Sequence, residues 1–330
     1  VSIKHKTYWK LMNLLTQPFI KKFENANRIL LAGAGGGFDI FCGLPLFFSL
    51  LEAGKTVFLA NLSFTDLQAF QGEWLTPTMM KVTPATRGLK GLYFPEWYLT
   101  QWLAKQGLDT PIYSFEKQGV LQLHHNYQFL QEKLEIDTIV LIDGGTDSLM
   151  RGDEDGLGTP GEDFASIAAA ASIDISNKML VCLGFGVDHF HGVSNDLSLA
   201  TIAEFTQTQQ FLGSLSLLDS MPEVQKYREA AEYTFTQMPQ NVSIVSSSIL
   251  SAISGYYGDH HATQRTQGSK LWINPLMAMY WFFDLEGVAK RNILIDQLYL
   301  TDYFMQIIRT ITIFRRTQLQ KLIKRDSILD

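Results

Sequence analysis

The segment RILLAGAGGGFDIFCGLP, residues 28–45, decides the fold class of this chain. Its apolar run at 29–33 ends in a group of glycines, and Asp39 and a second apolar stretch follow. This order is typical of a buried parallel strand that turns sharply into a helix. Glycine permits close approach and positive φ, so backbone N–H groups at such a turn can face an anion. The segment therefore predicts either a phosphate-binding turn or a tight bend without a ligand.

Apolar runs of strand length recur along the chain and alternate with segments of helical pattern. Such alternation indicates a parallel sheet covered by helices on both faces. We therefore predict the α/β class, with a Rossmann-like, mostly parallel sheet and a helical segment at the C-terminus. The predicted strands are residues 29–33, 56–60, 111–115, 137–142, 179–184 and 242–246, and the predicted helices include 44–52, 121–134, 161–171, 197–207 and 222–237.

The chain is expected to form one main domain with an extension at each end. We place an α/β ligand-binding domain at residues 24–300 and an N-terminal helical extension at 1–23. Residues 301–330 are expected to form a basic helix packed on the domain, because lysines and arginines but no acids lie between 303 and 325. A basic helix could instead meet a membrane surface or a partner. The sequence is also compatible with a homo-oligomer.

The composition excludes several classes of function. The net charge of -6 leaves no basic excess that would favour a nucleic-acid partner. Cys42 and Cys182 both lie in apolar stretches, which indicates buried, reduced thiols rather than a disulfide. No apolar run has the length of a membrane span, and residues 1–10 lack the apolar core of a signal peptide. We therefore expect a cytoplasmic protein with no membrane span and no nucleic-acid partner.

The glycine turn does not satisfy the dinucleotide fingerprint G-x-G-x-x-G. Gly33 and Gly35 fit its first two positions, but Phe38 occupies the third. Asn61 stands where a ribose-binding acid would end the second strand, which argues against an ordinary NAD-dependent dehydrogenase. Asp39 could cap the following helix, or meet a ribose hydroxyl or a metal. The candidate cofactor-binding residues of this turn are Gly33, Gly35, Gly36, Gly37 and Asp39.

A loop rich in acids and glycines follows the strand predicted at 137–142. Seven carboxylates lie between Asp143 and Asp163, and Arg151 is the single base among them. Thr159 and Glu162 fit a capping box that starts the next helix. Because the loop leaves the end of a parallel strand, we expect it at the ligand edge of the sheet. The candidates are Asp143, Asp147 and Arg151 for catalysis, Gly144 and Gly145 for cofactor binding, and Asp153, Glu154 and Asp155 as ligands of Mg²⁺ or Ca²⁺.

Two later polar clusters are expected at the same edge. Asp188 and His189 could form an acid–base pair, since a carboxylate orients an imidazole that titrates near neutrality. His189 and His191 could instead bind a metal together, and Asn195 is expected to cap the following helix. The segment 254–266 is expected to follow another strand. Its candidate cofactor-binding residues are Tyr257 and His260, within a group suited to stacking a base and holding a phosphate that also includes Tyr256, Asp259, His261 and Arg265.

Two motifs carry a resemblance to a known family. The turn Gly-Ala-Gly-Gly-Gly-x-Asp at 33–39 resembles the DUF1152 proteins, and so does Asp-Gly-Gly-x-Asp-x-Leu-x-Arg-Gly-Asp-Glu-x-Gly-x-Gly-Thr-Pro-x-Glu-Asp at 143–163. The resemblance covers most of the chain. Since the family is a domain of unknown function, it implies a shared small-molecule site and no particular activity.

A looser resemblance concerns the NAD-cleaving sirtuins. The residues at 33–35 and 43–47 are similar to the sirtuin opening, GAG followed by GIPxF. Sirtuin-like folds bind NAD without the dehydrogenase fingerprint and cleave its glycosidic bond. Two cysteines cannot form the four-cysteine zinc site of sirtuins, although a sirtuin-like NAD hydrolase would not need one.

Taken together, these clusters predict a small-molecule ligand held in a cleft at the carboxyl edge of a parallel sheet. The first hypothesis is a hydrolase or group transferase that acts on a nucleotide or phosphorylated metabolite. Its cofactor would be a divalent cation, Mg²⁺ or Ca²⁺, or NAD. The alternatives are a non-catalytic nucleotide-binding sensor and a sirtuin-like NAD-cleaving enzyme.

Overall fold

The computed structural model describes residues 16–326, with side chains described as far as Thr317. Within that range the backbone forms a nine-stranded sheet. The strands are β1 Arg28–Gly33, β2 Thr56–Leu62, β3 Glu73–Thr76, β4 Met79–Val82, β5 Ile112–Phe115, β6 Thr138–Asp143, β7 Asn177–Cys182, β8 Phe211–Ser216 and β9 Met279–Asp284. The helices are α1 Pro18–Glu24, α2 Asp39–Cys42, α3 Leu44–Glu52, α4 Pro95–Lys105, α5 Val120–Leu134, α6 Pro160–Ala171, α7 Asn195–Gln207, α8 Pro222–Gln237, α9 Ile244–Ile253, α10 Leu285–Arg291, α11 Ile295–Leu298 and α12 Phe304–Asp326.

The centre of the sheet is a block of parallel strands in the order β5-β2-β1-β6-β7. The chain builds outward from β1 through β2 to β5, then returns to add β6 and β7 on the other side of β1. Antiparallel pairings extend the sheet through β4 and β3 at one edge and through β9 and β8 at the other. The predicted fold class is therefore confirmed. Because the strand order reverses between β1 and β6, the loops after these two strands diverge and leave a crevice.

The apolar run of β1 is continuous because both faces of the strand are covered. Ile29 and Leu31 point into the core formed with α3, α4 and α8. Leu30 and Ala32 point into the opposite core, formed with α5 and α6. All four side chains are fully buried. Burial on both faces is typical of parallel strands and explains why the sequence shows no alternation of polar and apolar residues here.

The C-terminal helix α12 packs on α6 rather than directly on the sheet. Ile307 and Ile311 are buried in the core that contains α6, whereas Met305 is 70% exposed. Further along, the Arg315 guanidinium donates to the Asp155 carbonyl. Among the helices that the structure describes, none is long and apolar enough to span a bilayer. The boundaries proposed at 1–23, 24–300 and 301–330 stay predictions, and most of the N-terminal extension lies outside the described residues.

The strand predicted at 242–246 is wrong, because this segment begins helix α9. The Ser243 hydroxyl accepts the Ser246 N–H at 3.1 Å and caps the helix. The β-branched residues of VSIVS favour a strand locally, but the cap and the burial along α9 outweigh that preference. The cap predicted at Asn195 is also wrong by one position. Ser194 caps α7, its hydroxyl accepting the Leu197 N–H at 3.4 Å.

Truncating one buried side chain of α12 should test whether this helix is part of the folded core. We expect Ile307→Ala to lower the free energy of unfolding by about 2–5 kcal/mol, because it removes buried methyl groups and leaves a cavity. The matched control Met305→Ala changes an exposed side chain on the same helix and should shift stability by no more than about 0.5 kcal/mol. Chemical denaturation followed by circular dichroism measures both. Equal stability of the two variants would contradict the packing of α12.

Candidate active site

A cavity of about 400 Å³ opens at the carboxyl ends of β1 and β6, where the strand order reverses. In the part of the chain that the structure describes, three kinds of side chain line it. The acidic cluster consists of Asp39, Asp143, Asp147, Asp163 and Asp188. The aromatic wall consists of Phe38, Phe64 and Tyr93. The basic rim consists of the His191 and Arg265 side chains and of the N-terminus of α9 at Ser243, Ile244 and Val245, which carries a partial positive charge.

The amide groups of the glycine turn bind a carboxylate of the chain itself. The Gly35 N–H donates to Asp39 Oδ2 at 2.6 Å, and the Gly144 N–H donates to Asp39 Oδ1 at 3.3 Å. The Gly37 N–H donates to the Leu62 carbonyl at 3.2 Å. A turn of this kind is an anion-binding concavity. Its anion here is Asp39, so these N–H groups are not free to hold a phosphate.

Gly33 and Asn61 are packing residues at the ends of β1 and β2. A Cβ at Gly33 would lie 1.9 Å from Asn61 Oδ1, so any other residue here would force the Asn61 side chain to move. The buried Asn61 amide donates to the Gly37 carbonyl and to Glu96 Oε1, both at 2.9 Å. Asn61 is therefore committed to the fold and is not available to a ribose. This agrees with the argument against an ordinary dehydrogenase.

Asp147 organises the acidic loop. Its Oδ2 accepts the Thr159 N–H at 2.8 Å and the Thr159 hydroxyl at 3.0 Å. The predicted capping box is therefore wrong, although α6 does begin at Pro160 with Thr159 in the N-cap position. In a capping box the Glu162 side chain would accept the Thr159 N–H, but Asp147 takes this donor and the Thr159 hydroxyl as well. Glu162 instead forms an ion pair with Lys117, with Oε1 and Nζ 2.6 Å apart.

Asp163 belongs to the cavity although it was not a sequence candidate. It lies in the first turn of α6, is 1% exposed, and lines the cavity with Asp39 and Asp143. Neither of its carboxylate oxygens has a hydrogen-bond partner among the described residues. The sequence offered one signal, an acid next to Glu162 inside an otherwise apolar helix. Adjacent helical positions point in different directions, so one of the two acids faces Lys117 and the other the cavity.

Burial raises the pKa of every carboxyl in the acidic cluster, and repulsion between carboxylates adds to this at Asp39, Asp143, Asp163 and Asp188. Desolvation is the larger cause in each case, and it raises the pKa of Asp39 to about 7. The charge of Asp147 adds to this effect at Asp39, Asp143, Asp163 and Asp188. Hydrogen bonds from Thr159 act in the opposite direction on the pKa of Asp147 itself. Near neutral pH the cluster therefore requires protons or a positive ligand to offset its charge.

The structure brings His191, rather than His189, into the cavity with Asp188. Asp188 Oδ2 accepts the Thr146 N–H at 2.7 Å. A Cβ at Gly145 would lie 2.1 Å from the same oxygen, which explains the glycine there. His189 lines a much smaller neighbouring cavity. His191 lines the main cavity and lowers the pKa of Asp147 electrostatically.

The proposed metal ligands of the acidic loop lie away from the cavity. Arg151 pairs with Asp153, with Nε and Oδ1 2.9 Å apart. Glu154 accepts the N–H groups of Arg151 and Gly152 at 2.7 and 2.8 Å. These contacts close an exposed turn on itself, and the Asp155 side chain is exposed beside it. The oxygens of Asp39, Asp143 and Asp163 instead form a set that all lie within 4.8 Å of one another.

Tyr257 and His260 also lie outside the cavity. Tyr257 is 73% exposed, and the His260 ring stacks on Tyr256 with ring centroids 3.8 Å apart. The expectation for this segment assumed that it followed a strand, whereas it follows α9. Arg265 from the same segment does reach the cavity, and its Nη1 donates to the Val242 carbonyl at 2.7 Å.

Cys42 and Cys182 are both free and buried beside the acidic cluster. Burial and the charge of neighbouring aspartates raise the pKa of each thiol well above its usual range. Both thiols therefore stay protonated and are poor nucleophiles. The prediction that both thiols are buried and not joined in a disulfide is confirmed.

The fold and the site define a Rossmann-like α/β protein with an acidic cavity at its topological switch point. A family model described as a protein of unknown function, DUF1152, matches residues 30–307. The chain therefore belongs to the DUF1152 family, as its two glycine-rich motifs predicted. No curated protein and no solved structure matches the chain.

The acidic cluster should make the folded state less stable as pH rises. The pKa of Asp39 is raised from its usual 3.8 to about 7, so between these values the folded protein binds more protons than the unfolded chain. The free energy of unfolding must then fall with rising pH over this window. We expect melting temperatures in a chelating buffer to decrease between about pH 5 and pH 8.

The variant Asp163→Asn should make the melting temperature fall less steeply with pH. It removes a carboxyl whose pKa is raised and whose oxygens accept no hydrogen bond from the described residues. The matched control is Asp153→Asn. In the wild type, Arg151 lowers the pKa of the Asp153 carboxyl, and this carboxyl lies outside the cavity. The control should keep the wild-type slope. A wild-type melting temperature that rises across the same range would contradict the raised pKa values.

Proposed function

We propose that the chain is an enzyme of the hydrolase or group-transferase type that acts on a phosphorylated small molecule, such as a nucleotide, in this cavity. One observation supports the proposal most directly. A single cavity at the switch point of the sheet is lined by five carboxyls, four of them buried, and by the exposed guanidinium of Arg265 beside the start of α9. A ligand with a phosphate and a polar, reactive part would satisfy both.

The basic rim supports a phosphate-binding role. The first N–H groups of a helix have no partners within the helix and attract anions. Ser243, Ile244 and Val245 bring the start of α9 to the cavity wall, and the exposed Arg265 guanidinium lies there as well. Arginine binds phosphate through two parallel hydrogen bonds. The glycine turn does not supply this function, because Asp39 occupies its amides.

The acidic cluster supports acid–base chemistry. Burial raises the pKa of Asp147 and of Asp188. Carboxyls with raised pKa values can donate or accept a proton closer to neutral pH. Asp147 lies close enough to His191 for the imidazole to lower its pKa. These groups suit protonation of a leaving group and activation of water at a phosphoryl or glycosidic bond. The rings of Phe38 and Tyr93 offer an apolar surface for a base.

A sensor would use the same cavity for binding without turnover, so the assay must measure binding and turnover.

We also propose a cytoplasmic location, which rests on the two free, buried thiols.

The proposed function is tested with a panel of nucleotides, sugar phosphates and their unphosphorylated counterparts, with and without Mg²⁺. Binding is measured by thermal shift and calorimetry, and turnover by mass spectrometry of the products. We expect phosphorylated compounds to bind, and Arg265→Ala to weaken that binding at least about tenfold, since a charged hydrogen bond contributes about 1.5–3 kcal/mol. The control Arg309→Ala removes an exposed arginine of α12 and should leave binding unchanged.

Three outcomes separate the hypotheses. Binding with conversion of one compound supports the enzyme. Binding without conversion of any compound supports the sensor and contradicts the enzyme. Preference for unphosphorylated compounds, or equal binding by Arg265→Ala and the wild type, contradicts the phosphate role of the basic rim.

A further inference from the structure

We propose that Asp39, Asp143 and Asp163 together bind one hard divalent cation, Mg²⁺ or Mn²⁺, at the base of the cavity. The proposal concerns the same cavity as the proposed function. It depends only on these carboxylates, so it stands even if no phosphorylated ligand binds.

Three separate elements converge to form the site. Asp39 begins α2 after the glycine turn, Asp143 ends β6, and Asp163 lies in the first turn of α6. One oxygen from each lies within 4.8 Å of the other two. Bonds from oxygen to Mg²⁺ are about 2.0–2.1 Å long and to Ca²⁺ about 2.3–2.6 Å, so a single ion can contact all three oxygens after a small inward movement.

The hydrogen bonds of the cluster distinguish Asp163 from the other four aspartates. Asp39 accepts the N–H groups of Gly35 and Gly144, and Asp143 accepts the Ser148 hydroxyl. Asp147 and Asp188 accept backbone N–H groups from Thr159 and Thr146, which fixes the loops around the cavity. Asp163 accepts nothing from the described residues, although it is 1% exposed and lines the cavity. A buried carboxylate without a partner is costly to the folded state. A cation between Asp163, Asp39 and Asp143 would supply the missing partner.

The glycine turn allows this approach. A Cβ at Gly35 would lie 2.8 Å from Asp163 Oδ1 and 2.9 Å from Asp39 Oδ2. Glycine at this position therefore leaves room for the two oxygens beside the backbone. The Gly35 N–H meanwhile holds Asp39 Oδ2 in place at 2.6 Å and leaves that oxygen a second lone pair.

The donor atoms indicate the class of ion. All three ligands are carboxylate oxygens, which suit Mg²⁺, Mn²⁺ and Ca²⁺ rather than the soft metals that prefer thiolates. Cys42 and Cys182 lie nearby, but among the described residues neither sulfur belongs to the set of converging ligand atoms, so the set contains no soft donor that would favour zinc or copper. Three protein ligands leave coordination positions open for water or for a ligand oxygen. Mg²⁺ typically keeps such positions, which favours it over Ca²⁺.

Metal binding is tested on the full chain with the metal alone and no organic ligand. Chelator-treated protein is titrated with Mn²⁺ and followed by electron paramagnetic resonance, and with Mg²⁺, Ca²⁺ and Zn²⁺ by calorimetry. We expect one Mn²⁺ per chain, competed by Mg²⁺. Asp163→Asn should weaken Mn²⁺ binding at least about tenfold. The control Asp153→Asn alters the acid of the exposed turn and should bind Mn²⁺ like the wild type.

Melting temperatures show whether Asp163→Asn still folds. In chelator this variant should be at least as stable as the wild type, because it removes a like charge from the cluster while keeping the side-chain shape. Adding Mn²⁺ should raise the melting temperature of the wild type and of Asp153→Asn by several degrees, and that of Asp163→Asn far less.

Two results would overturn the proposal. One is the absence of Mn²⁺ and Mg²⁺ binding to the wild type at millimolar concentration, which would mean that protons alone neutralise the cluster. The other is equal binding by Asp163→Asn and the wild type, or loss of binding in Asp153→Asn, which would place the ion elsewhere. Neither result bears on Arg265 and the phosphate, so the failures of the two proposals are distinguishable.

Discussion

The repulsion between aspartates buried around one cavity is the constraint on which the rest of the site depends. A carboxylate is costly to move out of water, and a second one nearby raises the cost of ionising either. The chain lowers this cost for most of the cluster with backbone donors: Gly35 and Gly144 for Asp39, Thr146 for Asp188, and Thr159 for Asp147. These hydrogen bonds fix the loops after β1, β6 and β7 relative to one another. The same hydrogen bonds that stabilise the carboxylates therefore also join the loops that form the site.

The two glycine-rich motifs follow from this constraint. A Cβ at Gly35 or Gly144 would lie 2.8 Å from a carboxylate oxygen, and at Gly145 or Gly158 only 2.1 or 2.3 Å. Glycine allows backbone N–H groups to come close to a side-chain anion, just as it does in phosphate-binding loops. The opening segment is therefore an anion-binding turn, and its anion is a residue of the same chain. A pattern of glycines alone cannot distinguish these two uses.

The sequence predicted most of what depends on local pattern. β1 and β6 were predictable because burial on both faces makes a parallel strand a continuous apolar run. The α9 segment was not, because its β-branched residues are typical of a strand and a single serine cap decides otherwise. Asp39, Asp143, Asp147 and Asp188 were expected at the ligand edge, and they line one cavity. Asp163 was missed because its role depends on which way one helical position faces. Tyr257 and His260 were wrongly expected at the cavity because the segment before them was predicted as a strand and is helix α9.

Charge balance connects the base of the cavity to its entrance. By itself the acidic cluster would repel a phosphate, and by itself the basic rim would repel a cation. A ligand of one charge therefore does not explain why both groups line the same cavity. A divalent cation among Asp39, Asp143 and Asp163 would turn part of the acidic base into a positive surface. A phosphate held by Arg265 and the start of α9 could then reach that surface with its remaining oxygens, since Mg²⁺ in proteins commonly binds one or two carboxylates together with substrate phosphates. Asp147 and Asp188, which the backbone holds, would remain beside the reacting group as bases. In this arrangement the opposite charges of the cavity form a single site, in which Arg265 and the start of α9 bind the phosphate and the cation strengthens that binding.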